Sequence, residues 1–346
     1  KDSKRADIVR FPKDYFYFYH YVRRVFSVQP ISVLSHPFLR WLNRLNDQLS
    51  RLIWHYDFPV LTLIPFLLKI RQTQIVFATT PKIGLGLSFF KKFNIYSGRI
   101  VINIVGLYDQ LTILNSRRVN TLVSDLFSEV DQFVSGASWH EALKLADLLK
   151  LPINKFQFIP HSGIDTNFFS VEVNTRKDGS ILGIGVDPSR DWGLYNRVAQ
   201  ALPHENFVWA TDPRLIRQPV PSNVQIKFFS TLELREKIRE AKMILILTKQ
   251  NHHFSGQASA FRTMSCGKTV ILTKTPGIEE FPLNHLRNCV LVEPGNVFQI
   301  IKYINYLSRN PDQMHQIGKK ASQLIQSKYS YERIGDVYVK LFKSII

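Results

Sequence analysis

Residues 243–275 read MILILTKQNHHFSGQASAFRTMSCGKTVILTKT, and they decide the fold. The apolar run Ile244-Leu245-Ile246-Leu247 has the length and composition of a buried strand. A polar loop follows with Lys249, Gln250, Asn251, His252 and His253, then Ser255 and Gly256. A helical segment is expected from Gln257 to Cys266. It is closed by Gly267, which can take the left-handed conformation a helix C-terminus needs. A second apolar strand covers Thr269 to Thr273. Strand, loop, helix and strand make one parallel crossover. Ligands of open α/β sheets bind beyond the carboxyl ends of such strands, so the chemistry is expected in the 249–256 loop. The backbone N–H groups opening the helix would form an anion seat there.

The phrase Arg262-Thr263-Met264-Ser265-Cys266-Gly267-Lys268-Thr269-Val270-Ile271 resembles the "EAMACGKPVI"-like donor-site helix of the GT-B glycosyltransferases of family 4. A second phrase, Phe158-Ile159-Pro160-His161-Ser162-Gly163-Ile164-Asp165-Thr166-Asn167-Phe168, is similar to the "IPNGVDTxxF" phrase closing that family's first domain. The tail KYSYERIGDVYVKLFKSI resembles its closing helices. The likeness runs from about Gln74 to the end; the first 70 residues are not clearly covered. It implies two Rossmann-like doubly wound α/β domains facing a cleft, with C-terminal helices returning to the first.

The residues support that architecture. The chain has 346 residues, 45% of them hydrophobic, enough for two cores. Apolar runs at Gln74–Thr80, Arg99–Val105, Gln132–Ser138 and Lys155–Pro160 alternate with helical segments, as in a doubly wound parallel sheet. The polar, aperiodic 170–180 stretch reads as a linker. Beyond it, strands are expected at Ile181–Gly185, Phe207–Thr211, Val224–Phe229 and Cys289–Val292, and helices over 297–346. The expected layout is an acceptor domain over 1–169, a nucleotide-sugar donor domain over 181–328, and a closing helix over 329–346. Cys266 and Cys289 read as buried small hydrophobes of a reducing compartment.

The net charge of +18 calls for an anionic partner. Residues 1–51 hold 10 Lys and Arg against 4 Asp. Arg10 to Phe26 interleaves cations with aromatic rings, which suits either anionic lipid headgroups or plain covering of a core. Phe38, Leu42, Leu45, Leu49, Leu52 and Tyr56 recur at helical spacing, and a helix packing this stripe on a sheet is the expectation. No window reaches the roughly 18 uninterrupted apolar residues of a membrane span, and no signal peptide is visible. The chain opens at Lys1 and not at a methionine, which leaves open whether a piece precedes it. No recognition-helix, zinc or RNA-binding motif is present, so nucleic acid is not an expected partner.

The family's chemistry moves a sugar from a nucleotide donor and needs positive charge where the diphosphate leaves. Arg190, between a strand and a helix, is the first candidate, with a surface residue beside Asp187 and Ser189 helix caps as its alternative. Lys249, Ser255, Gly256, Gln257 and Arg262 complete the expected donor site. Gly84 and Gly86, in an expected loop over 81–86, and Gly163 are the expected acceptor-side positions. Asp165 reads as a turn-stabilising side chain. His252 and His253 are a poor metal pair, and neither a metal nor a cofactor is expected. The family pattern is broken at Val186, where an arginine is usual, and at Phe254 and Arg262, where glutamates are usual; an early histidine is also missing near Val105. Arginine cannot accept a hydrogen bond from a ribose hydroxyl.

The resemblance thus implies a retaining, metal-independent hexosyltransferase acting on a lipid-linked or polysaccharide acceptor, peripheral on the cytoplasmic face of a membrane. The broken positions leave a degenerate, non-catalytic partner protein as the alternative.

Overall fold

The computed structural model describes residues 12–16, 18–31, 37–160, 163–172 and 178–346. The chain forms two compact units. Unit N comprises Tyr21–His161 and Asp336–Ile346; unit C comprises Lys1–His20 and Ser162–Gly335.

Unit N is built on a four-stranded parallel sheet in the order β1-β2-β3-β4: β1 Ile75–Ala78, β2 Arg99–Ile104, β3 Gln132–Ser135 and β4 Phe156–Phe158. Its longer helices are α1 Pro37–Trp54, α2 Pro81–Lys92, α3 Leu107–Leu114, α4 Arg117–Phe127 and α5 Trp139–Leu149. Thr80, Ser116 and Ser138 cap α2, α4 and α5 by accepting from the third residue on, as N-cap hydroxyls do. Ile100, Ile102, Phe127, Phe133 and Leu145 are among the fully buried side chains of the core. The last residues of the chain belong here too: the rings of Tyr338 and Phe342 stand edge-on to Phe77 of β1.

Unit C holds a six-stranded parallel sheet in the order β10-β9-β8-β5-β6-β7. The strands are β5 Ile181–Ile184, β6 Phe207–Ala210, β7 Val224–Lys227, β8 Met243–Ile246, β9 Val270–Thr273 and β10 Val290–Val292. The helices are α6 Trp192–Ala201, α7 Thr231–Glu240, α8 Gln257–Ser265, α9 Val297–Arg309, α10 Pro311–Lys328 and α11 Tyr331–Ile345. α11 ends in unit N. β5, β8 and β9 are buried along their whole length, which is why they read as unbroken apolar runs.

Several expectations change. Residues 81–86 are the first turns of α2 and not a loop, because Thr80 caps the helix and Pro81 sits at its first position. α7 is capped by Ser230, in a capping box with Glu233. Helix α3 follows Gly106, whose left-handed backbone gives no local signal for a helix start. The expected stripe is turned inward only in part: Tyr56, just beyond α1, is buried and Leu42 and Leu45 are half-buried. The anchored face of α1 carries Leu39, Asn46 and Ser50, while Phe38, Trp41, Leu49 and Leu52 are exposed.

The aromatic N-terminal patch is partly accounted for by packing. Phe18 and Val22 are buried, Tyr21 donates to Asp336 at 2.5 Å, and Phe26 stands edge-on to Phe342. Arg10, Phe11 and Tyr17, the side chains of Tyr15 and Phe16, and residues 173–177 of the expected linker fall outside the described residues.

Candidate functional site

The chain runs β5, β6, β7 to one side of the second sheet, then returns to lay β8 against the other side of β5. β5 and β8 are therefore the point where the strand order reverses, and their carboxyl ends open the crevice in which such sheets bind ligands. The two loops leaving them are tied together. Arg190 and Thr248 form an antiparallel bridge, Lys249 N–H donates to Ser189 O at 2.8 Å, and Asp191 N–H donates to Leu247 O at 3.1 Å. Beneath them the Tyr195 hydroxyl donates to Leu245 O (2.8 Å) and accepts from Leu247 N–H (2.9 Å); burial pushes its pKa up to about 12.

Arg190 lies at the centre of this junction and is only 3% exposed. Its Nε donates to Ile184 O at 2.9 Å and one terminal nitrogen to Ser255 Oγ at 3.0 Å. The same nitrogen lies 3.0 Å from the Asp187 carboxylate. Asp187 also accepts from Ser189 and Ser255, whose hydroxyls contact one another. Burial works to raise the Asp187 pKa, but the Arg190 charge and the serine hydroxyls outweigh it and hold the carboxyl below its usual range.

Two glycines make room for the guanidinium. A Cβ on Gly185, whose φ is +152°, would fall 2.0 Å from Arg190 Nε; one on Gly256, at φ +86°, would fall 2.7 Å from a terminal nitrogen. Arg190 is thus a buried strut pinning the 185–190 loop to the start of α8, and the surface alternative is overturned. The cap of α6 is Asp191, which accepts from Leu194 N–H, not Asp187 or Ser189. Asp187 keeps 40% of its side chain exposed, so the net field at the mouth of the site is weaker than a bare arginine would give.

Lys249 is exposed on the same loop, and its Nζ has no partner among the described residues. The expected anion seat at α8 is smaller than four N–H groups. Ser255 N–H is used by His253 O at 2.9 Å and Gln257 N–H by Phe254 O at 3.3 Å, leaving the next residues of the first turn. Gly256 is the left-handed N-cap, and the Gln257 side chain is buried. Val186 is 58% exposed at the end of β5. Among the described residues no group of three or more His, Cys, Asp or Glu could hold a metal ion.

Arg262 points to another place. Its Nε and a terminal nitrogen donate to Asp14 Oδ2 at 3.3 and 3.1 Å, and its guanidinium lies 5.2 Å from the centre of the Phe169 ring. Asp14, 248 residues away in sequence, sits in the 3₁₀ turn Lys13–Phe16 and is buried. Its Oδ1 has no hydrogen bond among the described residues. Burial raises the Asp14 pKa and the nearby Asp165 adds to the rise; Arg262 opposes them without cancelling them. Asp165 accepts from Asn167 and Phe168 N–H, both at 3.2 Å, as a turn-stabilising carboxylate, and also from Lys13 N–H at 2.9 Å. Phe254, at the first glutamate-equivalent position, is a core ring in contact with Phe261 and Phe281.

The three acceptor-side glycines are explained by packing. Gly84 and Gly86 are buried within α2, where a Cβ would come 2.3 Å from Ile102 and 2.8 Å from Leu63. Gly163 lets the chain approach 330–334, where its Cβ would fall 2.9 Å from Tyr331 Cα. The structure therefore brings Arg190, Lys249, Ser255, Gly256 and Gln257 together and leaves Arg262 paired with Asp14. Asp187, read from sequence only as a cap, is the addition to the set. Its spacing of three from Arg190 was a legible signal; the Asp14–Arg262 pair left none.

Comparison with known proteins follows the same geometry. Residues 196–339 match the profile of the family described as Glycosyl transferase-like. An 85-residue stretch is 35% identical to the lipopolysaccharide 1,2-N-acetylglucosaminetransferase of Salmonella typhimurium; it spans 25% of this chain and 22% of that protein. Among solved structures, that of Anabaena Alr3699/HepE in complex with UDP-glucose superposes with a TM-score of 0.69 at 14% identity, over 90% of both chains. The sucrose-phosphate synthase of Thermosynechococcus elongatus superposes with a TM-score of 0.66 at 14% identity, over 82% of this chain and 78% of that one. At such identities these likenesses establish the fold, which is that of the GT-B proteins. The chain is thus two Rossmann-like parallel-sheet units of GT-B type, with residues 196–339 similar to the Glycosyl transferase-like profile.

Proposed function

We propose that the protein is a glycosyltransferase of the family-4 kind. It would transfer a hexosyl-type sugar from a uridine diphosphate sugar to a saccharide acceptor of the lipopolysaccharide or polysaccharide class, retaining the anomeric configuration. It would do so peripherally on the cytoplasmic face of a membrane. The observation that carries the reading is the junction at β5 and β8. Arg190 locks two loops there, and Lys249 stands exposed on the loop that leads from β8 to α8. Negative charge gathers on the β-phosphate as the sugar–phosphate bond breaks. An unpaired lysine and a helix N-terminus are fixed, outward-facing sources of compensating charge. The choice of uridine rests on the Anabaena neighbour, whose complex contains UDP-glucose. The choice of acceptor rests on the Salmonella relative. Charge compensation by protein groups makes turnover insensitive to EDTA in this reading.

A thermal-shift titration with UDP, GDP, CMP and their sugars tests it. UDP or a UDP-sugar should raise the melting temperature, and Lys249→Ala should bind it at least about tenfold more weakly, the worth of one charged hydrogen bond. No shift with any nucleotide removes the reading. It would favour the second one, a non-catalytic partner protein, which the occupation of Arg262 by Asp14 already motivates.

A further inference from the structure

The outward face of α1 is the wrong way round for a helix that meets only water. The helix is fastened to unit N by polar side chains. Asn46 Nδ2 donates to Phe58 O at 2.9 Å, Ser50 Oγ donates to the same oxygen at 3.2 Å, and Leu61 N–H donates to Asn46 Oδ1 at 2.9 Å. From its last turn, Arg51 clasps Asp57, 2.8 Å between Nη2 and Oδ2. Leu39 is buried, like Asn46 and Ser50, but most of the large apolar residues go the other way, with Leu45 half-buried among them. Phe38, Trp41, Leu45, Leu49 and Leu52 follow one another at intervals of three and four, so they form one stripe along the helix. Trp41 is 57% exposed and Leu52 76%. Phe38 and Trp41 stack with ring centres 6.0 Å apart. A soluble helix turns such a stripe inward, and a stripe turned outward marks a binding face.

We infer that this stripe seats unit N on a bilayer rich in anionic glycerophospholipid, with α1 lying in the plane of the interface. Charge complementarity selects that occupant. Arg40 and Arg44 lie on the solvent side of the helix, exposed and without an ion pair among the described residues. The one acidic residue of the helix, Asp47, has its carboxylate engaged by Asn43 Nδ2 at 3.1 Å. An in-plane helix with a tryptophan and leucines on one side and arginines beside them buries the former at headgroup depth and lets the latter reach the phosphates. The 18 residues of α1 span about 27 Å, long enough for several lipid contacts. The helix is not a spanning one: among the described residues no helix is long and apolar enough to cross a membrane. This deepens the membrane part of the proposed function and does not depend on the donor chemistry.

The test is flotation of the full chain with phosphatidylcholine vesicles, with and without phosphatidylglycerol. It is run on the wild type, on Trp41→Ser/Leu52→Ser and on Arg40→Gln/Arg44→Gln, each followed by the UDP thermal shift and by light scattering. The exposed positions leave the fold intact, so the UDP response should be the same in all three. Wild type should float, more strongly with phosphatidylglycerol. Each lost arginine should weaken binding to the anionic vesicles about fivefold, and each lost apolar side chain about tenfold. Failure of the wild type to bind either vesicle overturns the inference. So does binding that both double variants retain in full, and so does a dimer in solution that Trp41→Ser/Leu52→Ser dissolves without any vesicle binding. A lost UDP response with intact flotation would strike at the donor reading alone.

Discussion

Replacing Arg190 by alanine removes a cation that holds two loops at the carboxyl ends of β5 and β8. The magnitude follows from its contacts. Two hydrogen bonds from a charged donor, to Ile184 O and Ser255 Oγ, are worth about 1.5–3 kcal/mol each. The pairing with Asp187 adds about 0–1 kcal/mol, because that carboxylate is 40% exposed and water can take it over. Water entering the vacated space recovers part of the total. The net loss should be about 3 kcal/mol, or about 6–12 °C in the melting transition of a unit this size. Arg190→Lys keeps the charge but not the fork and should lose about half as much.

The pH dependence carries the sign. The Asp187 carboxyl lies below its usual range in the folded protein, so its pairing contributes stability that is complete above about pH 4. That contribution fades as the pH falls through the lowered value. In Arg190→Ala the largest opposing influence is gone and burial acts to raise the carboxyl, so this part of the acid-limb loss should disappear. Calorimetry of the wild type and both variants between pH 3 and 7 (about the range in which carboxylates titrate) reads both effects. A loss below about 1 kcal/mol, with an unchanged acid limb, would refute the strut and return Arg190 to the role of a free ligand for phosphate.

Asp14→Asn should flatten the pH dependence in the opposite sense. The folded protein holds the Asp14 proton more tightly than the unfolded chain, so stability declines as the pH climbs from the ordinary carboxylate value through the raised one. The amide removes that decline while still accepting from Arg262, and urea titrations at pH 4 and 7 (about the two ends of the window) should show it. Cys266 and Cys289 are buried, and burial pushes both thiols up to about 12. Neither should react with a disulfide reagent in the native protein at neutral pH, whereas both should react fully in denaturant; rapid native labelling would contradict their placement.

All ten strands were legible in the sequence, with ends off by up to three residues; β5, β6, β8 and β9 are buried on both faces and so must be unbroken apolar runs. Gly267 was legible for a similar reason: the close of a helix before a strand calls for a left-handed residue, and its φ is +72°. Local pattern misled at 81–86, where two glycines looked like a loop. Helix α2 uses them instead to approach Ile102 and Leu63, a requirement set by distant residues.

The sequence by itself determined the two parallel sheets and pointed to the loop that follows β8 as the place to look for a ligand. These follow from hydrophobic runs, turn residues and the chirality of crossovers, all of which act over short stretches. The strand order, with its reversal at β5 and β8, came from the tertiary structure. Only the tertiary structure decided the state of the charged groups. Arg190 is buried against Asp187 and Ser255, Arg262 is paired with Asp14 across 248 positions, and most of the stripe of α1 faces outward because Asn46 and Ser50 hold its other side. Partners so far apart in the chain are brought together by the packing of whole elements, and no periodicity in a local window records which residue a charge or a ring will meet.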